Sequence, residues 1–171
     1  MEGEEIDLAC HLTNTSLQTH RGEAGVRLLN ELVGCHVLSD PKETMRIFTE
    51  EDIDLLTSQM MQVLEETFTA ALRDPINFQP IPNAFELFGV DFLVTHSASD
   101  TVPWQVNLLE VNAEPAIELT GPRLKWILED LFLAMGKACV EPFITERKVD
   151  DWPVGEARNN LIKCLERRVR S

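Results

Sequence analysis

Between Ile53 and Ala71 the apolar residues Ile53, Leu56, Met60, Val63, Leu64, Phe68 and Ala71 recur at helical spacing. A stripe of that length commits the chain to a long amphipathic helix with one face that must be covered. Thr49 stands where its hydroxyl can cap the first turn, and Glu50, Glu51 and Asp52 bring negative charge to the positive end of the helix dipole. Asp74-Pro75 stops the run, so the helix is expected to extend from the Thr49 cap to about Leu72. Met60 and Met61 read as core and neighbouring surface.

What can cover the helix follows in the chain. Two prolines between Phe78 and Asn83 enforce an extended connection. Phe85 to Val94 then reads as a strand, and Val106 to Val111 as a second. The polar loop HSASDTVPW is short enough to join them as antiparallel neighbours. Thr120-Gly121-Pro122 opens another helix with proline at its first position, its apolar face made of Leu124, Ile127, Leu128, Leu131, Phe132 and Met135. Upstream, Val26, Leu29, Leu32 and Val33 suggest a short helix over Gly25–Val33, and Ser39-Asp40-Pro41 reads as a turn. Asp151 is placed to cap a last amphipathic helix ending in the basic tail Lys163, Arg167, Arg168 and Arg170. The order helix, hairpin, helix, helix is an α+β pattern with antiparallel strands.

Composition narrows the function classes. The 171 residues are enough for one domain with a core, and 44% apolar with 26% charged content is that of a globular chain. The net charge of −14 repels nucleic acid and acidic membranes, so neither is expected as a partner. No apolar run is long enough to span a bilayer, and MEGEEIDLAC opens acidic where a signal peptide opens basic, which points to the cytoplasm. Cys10, Cys35, Cys139 and Cys164 show no metal-binding spacing and read as reduced thiols; Cys35-His36 is adjacent, not at zinc-ligand spacing.

The chemistry concentrates between Phe85 and Thr120. Glu110 and Asn112 are two apart on a strand and share a face, with Leu109 and Val111 opposite or flanking, and Asp91 sits in the middle of the preceding apolar strand, where a lone carboxylate is costly. Pairing of the two strands can bring Asp91, Glu110 and Asn112 to one spot. Two carboxylates and an amide oxygen suit magnesium, which completes its octahedron with water and phosphate oxygens. Without a metal the two carboxylates repel and at least one pKa rises. On spacing alone, the alternative is a pair of acids facing solvent.

The run FELFGVDFLV, a loop, and then LLEVNAEP resemble the last part of the tubulin–tyrosine ligase domain, an ATP-grasp family that commonly shows F-E-L-x-G-x-D followed by L-[EL]-[VI]-N-x-x-P. His11-Leu12-Thr13-Asn14 reproduces the family's upstream HLTN box. HLTNTSLQ together with Glu118-Leu119-Thr120-Gly121 looks most like the fungal processing-body-associated members, in which a ligase-like domain follows a phosphatase-like one.

The resemblance implies the C-terminal part of an ATP-grasp-like fold, with residues 1–171 forming a single partial domain whose N-terminal half is absent. It implies magnesium ligands Asp91, Glu110 and Asn112, nucleotide contacts from Thr13 and Asn14, and Leu109 packing on the adenine ring. Thr15 and Ser16 fall where amino-acid-adding members contact the incoming amino acid, although Thr15 replaces the usual aromatic residue; His11 is read as structural, and no catalytic residue is assigned.

The implied reaction is carboxylate–amine ligation with Mg2+ and ATP. A substrate carboxylate attacks the γ-phosphate, and an amine displaces phosphate from the resulting acyl phosphate. The acceptor is a protein, with tubulin the family's usual case. The family places its phosphate-contacting cations upstream of the HLTN box, where this sequence has ten residues, so little turnover is expected of the fragment. Neither Arg123 nor Lys125 is assigned a substitute role. The rival is a non-catalytic, ligase-like interaction module in an mRNA-decay or other cytoplasmic assembly.

Overall fold

A computed structural model describes residues 26–38, 45–97, 99, 101–117, 121–145 and 151–168. Helix α1 spans Glu50–Ala71, bounded as its sequence dictates. Thr49 and Asp52 close a capping box: the Asp52 amide donates to Thr49 Oγ1 at 3.4 Å and the Thr49 amide to Asp52 Oδ2 at 2.9 Å. The helix stops at Ala71, and Asp74 gathers the following turn by accepting from the amides of Ile76 and Asn77.

Strands β1 (Gly89–His96) and β2 (Trp104–Asn112) form the expected antiparallel hairpin. The start of β2 packs on the first turns of α1 around Phe48, Leu56, Trp104 and Val106, with Ile53, Met60 and Phe92 against them. Two α1 side chains lock it there. Asp52, only 2% exposed, accepts from Trp104 Nε1 at 2.7 Å and pairs with Arg46, whose guanidinium lies 5.4 Å from the Trp104 ring centre. Gln59 donates from Nε2 to the Trp104 carbonyl and accepts from the Val106 amide at Oε1, both at 2.9 Å, so one side chain pairs the outer edge of β2 as a neighbouring strand would.

Gln59→Leu keeps the bulk but leaves that carbonyl and amide without partners. It is expected to lower stability by about 1–3 kcal/mol in urea denaturation, with the slope unchanged.

β1 begins later than the sequence reading placed it. Residues 85–88 join no strand, because β2 ends at Asn112 opposite Gly89 and leaves them no partner. They are held by aromatic packing instead: the rings of Phe88 and Phe78 lie 5.7 and 5.9 Å from Phe68 of α1.

After a 3-10 turn at Pro122–Leu124, α2 covers Lys125–Met135, as the Gly121-Pro122 opening predicts. It continues through a π turn, Gly136–Val140, into α3 (Glu141–Thr145). Pro142 has no amide hydrogen and its ring crowds the preceding turn, and a widened turn is how a helix absorbs this.

Two expected helices are absent. In place of the helix over Gly25–Val33, whose first residue lies outside the described set, there is a 3-10 turn, Leu29–Leu32. One turn nucleates poorly on its own, and Gly34, at φ 86°, redirects the chain into a bridge between His36 and Ile47. Nor is there a helix among the described residues after Asp151. Ala157–Arg158 (β3) and Leu161–Ile162 (β4) form a small hairpin across Asn159 and Asn160, at φ 50° and 61°. Two left-handed residues are the requirement of the tight turn whose twist matches antiparallel strands.

The late basic residues therefore do not line a helix. Lys163 donates to the Trp152 carbonyl at 2.7 Å, and the Arg158 guanidinium lies 5.4 Å from the Trp152 ring centre. Arg170 and the Ser39-Asp40-Pro41 turn lie outside the described residues. No helix among the described residues is long and apolar enough to cross a membrane.

Candidate metal centre at the end of the hairpin

The register of the hairpin creates the site. His96 faces Trp104, Val94 faces Val106 and Phe92 faces Leu108, all in unbroken pairing; the next pair is Asp91 with Glu110, so Leu109 is an extra residue in β2. Directly opposed side chains share a face and successive ones alternate. Asp91 therefore faces away from Phe92 and the α1 core. In an unbroken strand Glu110 would share the Leu108 face and Asp91 would oppose Leu109. The bulge moves Glu110 to Asp91's side instead.

Asn112 completes the group. Its Nδ2 donates to Asp91 Oδ2 at 3.3 Å and to Glu110 Oε1 at 3.1 Å, so a single amide spans both carboxylates. The three residues picked from the sequence thus meet. The Asp91 carboxyl is pushed above the usual range, first by burial, then by its hydrogen bond to Glu110 and by that residue's charge. Among the described residues no basic side chain relieves this. Arg123 pairs with Glu31 at 2.8 Å and donates to the Val26 carbonyl, while Lys125 lies 3.7 Å from Glu129.

The donor set fits a small hard cation. The Asn112 amide hydrogens present partial positive charge to both carboxylates, the position a cation would take once the amide turns its oxygen inward. Magnesium needs only one or two carboxylates and fills its remaining positions with water or phosphate oxygens. Zinc favours nitrogen and sulfur, and the described residues hold no cluster of three or more His, Cys, Asp or Glu. Cys35, Cys139 and Cys164 are free thiols, and His36 takes part in a backbone bridge.

Leu109 is 61% exposed beside the carboxylates, an apolar surface where a flat ring could rest. Thr13, Asn14, Thr15, Ser16 and His11 lie outside the described residues. Pro115, which spacing alone does not single out, lies against Gly89. A β-carbon at that glycine would come within 2.8 Å of Pro115 Cβ. The signal was present as the glycine and proline of the two motif halves.

Comparison with known proteins places these features in a family context. Residues 3–148 match the model of the tubulin-tyrosine ligase family. A Saccharomyces cerevisiae protein named "Probable tubulin--tyrosine ligase" is 33% identical over 163 residues, covering 94% of this chain and 19% of the relative. A Schizosaccharomyces pombe protein of the same name is 39% identical over 104 residues, covering 58% of this chain and 24% of the relative. This chain therefore spans about a fifth to a quarter of the length of the curated relatives it matches. No solved structure matches it.

Proposed function

This chain belongs to the tubulin–tyrosine ligase family, and we propose that it contributes the cation-holding part of a magnesium- and ATP-dependent ligase that joins an amino acid to a carboxylate of a protein. The observation carrying this reading is the Asn112 amide spanning Asp91 and Glu110 across paired strands. Two acids drawn together, with no basic side chain among the described residues to offset them, in a family named for a ligation, are best accounted for by a cation that both would hold.

In this reading Asp91 and Glu110 bind the ion, and Asn112 turns its oxygen inward to join them. When bound, magnesium supplies positive charge to phosphate oxygens and fixes their position. Leu109 offers the exposed apolar surface for the nucleotide base. Thr13 and Asn14 are proposed nucleotide contacts and Thr15 and Ser16 contacts to the incoming amino acid, on the strength of the HLTN box alone. A cytoplasmic protein substrate is proposed, with tubulin suggested by the names of the relatives.

The test is ATP-dependent amide formation by the longest polypeptide containing this chain, supplied with candidate acceptors and amino acids. Glu110→Gln is expected to reduce turnover at least about tenfold, because it removes an ion ligand while keeping the shape. If the unmodified protein binds neither Mg2+ nor nucleotide, the assignment fails and a non-catalytic interaction module becomes the better account.

A further inference from the structure

We propose that Gly89 and Pro115 are positioning residues for the cation site: the Pro115 ring, seated where a β-carbon of residue 89 would stand, pins the turn leaving β2 and thereby holds the Asn112 amide between Asp91 and Glu110. The inference rests on the reading of Asp91, Glu110 and Asn112 as a cation site.

Asn112 is the last residue of β2 and pairs with Gly89, the first of β1. A strand's terminal residue has a neighbour on one side only and frays unless something beyond it is tied down. Just past Asn112 the chain bends through Ala113 and Glu114, and Pro115 returns to the sheet. A β-carbon on residue 89 would lie 2.8 Å from Pro115 Cβ, 3.6 Å from its Cα and 3.8 Å from its Cγ. The first distance is a collision; the others are ordinary contacts.

The glycine is needed here for space: its φ lies outside the left-handed range, whereas Gly34 and Gly155 owe their places to φ values of 86° and 91°. A short turn bonded from the Ile117 amide to the Pro115 carbonyl at 2.8 Å stiffens the chain just beyond the contact. The turn is therefore clamped opposite Asn112, on the same strand pair that carries the two carboxylates. Proline and glycine act through Asn112, not on the ion.

The experiment measures Mn2+ binding to the full chain by water-proton relaxation, together with the Asn112 side-chain amide resonances and the melting temperature. Gly89→Ala must push Pro115 away, and Pro115→Gly removes the ring that does the pinning. Each is expected to weaken Mn2+ about tenfold, the scale of losing a residue that orients a ligand, and to shift the Asn112 amide signals. The double variant replaces the colliding atom with open space, leaving the new β-carbon 3.6 Å from the Cα of residue 115. With the collision relieved but the ring still missing, it is expected to bind Mn2+ about as weakly as Pro115→Gly.

Unchanged affinity in both single variants overturns the proposal, as does a double variant that regains the parent's affinity without the ring. If Gly89→Ala does not fold, Pro115→Gly alone decides: a melting temperature near that of the parent with weaker Mn2+ supports positioning, and equal Mn2+ refutes it. Parent protein that binds no Mn2+ removes the site itself, a result distinct from failure of the clamp.

Discussion

Asp52→Ala is expected to lower folding stability by about 3 kcal/mol, a large part of the 5–15 kcal/mol that typically holds a domain together. The residue is 2% exposed and its carboxylate serves four donors: the Thr49 amide and hydroxyl, Trp104 Nε1 and the Arg46 guanidinium. Alanine removes the acceptor of a helix cap, leaves an indole N–H without its partner and frees an arginine beside the core. Because the Arg46 side chain is 35% exposed, water can take over part of its solvation, which puts the effect toward the lower end for breaking a buried pair.

Asp52→Asn separates charge from shape. Its amide turns a donor group toward donors, so a loss comparable to that of alanine is expected. Urea denaturation followed by tryptophan fluorescence reads both variants. A loss below about 1 kcal/mol for alanine would show that the bonds to Asp52 contribute little to holding α1 on β2.

Asp52 also shows what the sequence can and cannot reveal. Its place in the first turn of α1 is legible from Thr49 and the acidic run after it, and the structure bears out the helix bounds nearly to the residue. Its bond to Trp104, a residue 52 positions away, depends on how the hairpin docks, and local pattern carries no trace of that. The same holds at the site. Alternation predicts that Glu110 and Asn112 share a face, and they do, but the extra residue at Leu109 that brings Asp91 to them exists only in the pairing register.

The C-terminal segment failed for a different reason. The basic residues from Lys163 onward suggest a helix end, whereas Asn159-Asn160 carries the stronger signal: two adjacent residues tolerant of positive φ, between Ala157-Arg158 and Leu161-Ile162, mark a hairpin. Residues 85–88 read as strand because they run on from the apolar residues of β1, but the strand they would need ends at Asn112.

Asp91→Asn reads directly, through stability, whether the two acids at the end of the hairpin hold an ion. The Asp91 carboxyl keeps its proton more tightly in the folded chain than in the unfolded one, through burial first and Glu110 second. A group with its folded pKa raised favours folding most when protonated. That contribution is fully present below its ordinary value of 3.8 and is lost as pH rises through the raised folded value. At neutral pH without metal, the ionised carboxylate is therefore a burden, and Asp91→Asn is expected to melt above the parent protein in EDTA. Solvent near the exposed pair keeps that gain small.

Magnesium should reverse the order. An ion that binds only the folded state adds RT ln(1 + [L]/Kd), about 1.4 kcal/mol at ten times Kd. The asparagine variant, missing one of two carboxylates, is expected to bind at least about tenfold more weakly and so to gain much less. Melting curves across pH, in EDTA and in excess Mg2+, are expected to cross: variant above parent without metal at neutral pH, parent above variant with it, and the EDTA difference vanishing as the carboxyl becomes protonated. Equal magnesium shifts in both proteins would mean that no ion sits between these acids. A less stable variant in EDTA at neutral pH would mean that Asp91 holds the hairpin together through its bond from Asn112, with no strain left for a cation to relieve.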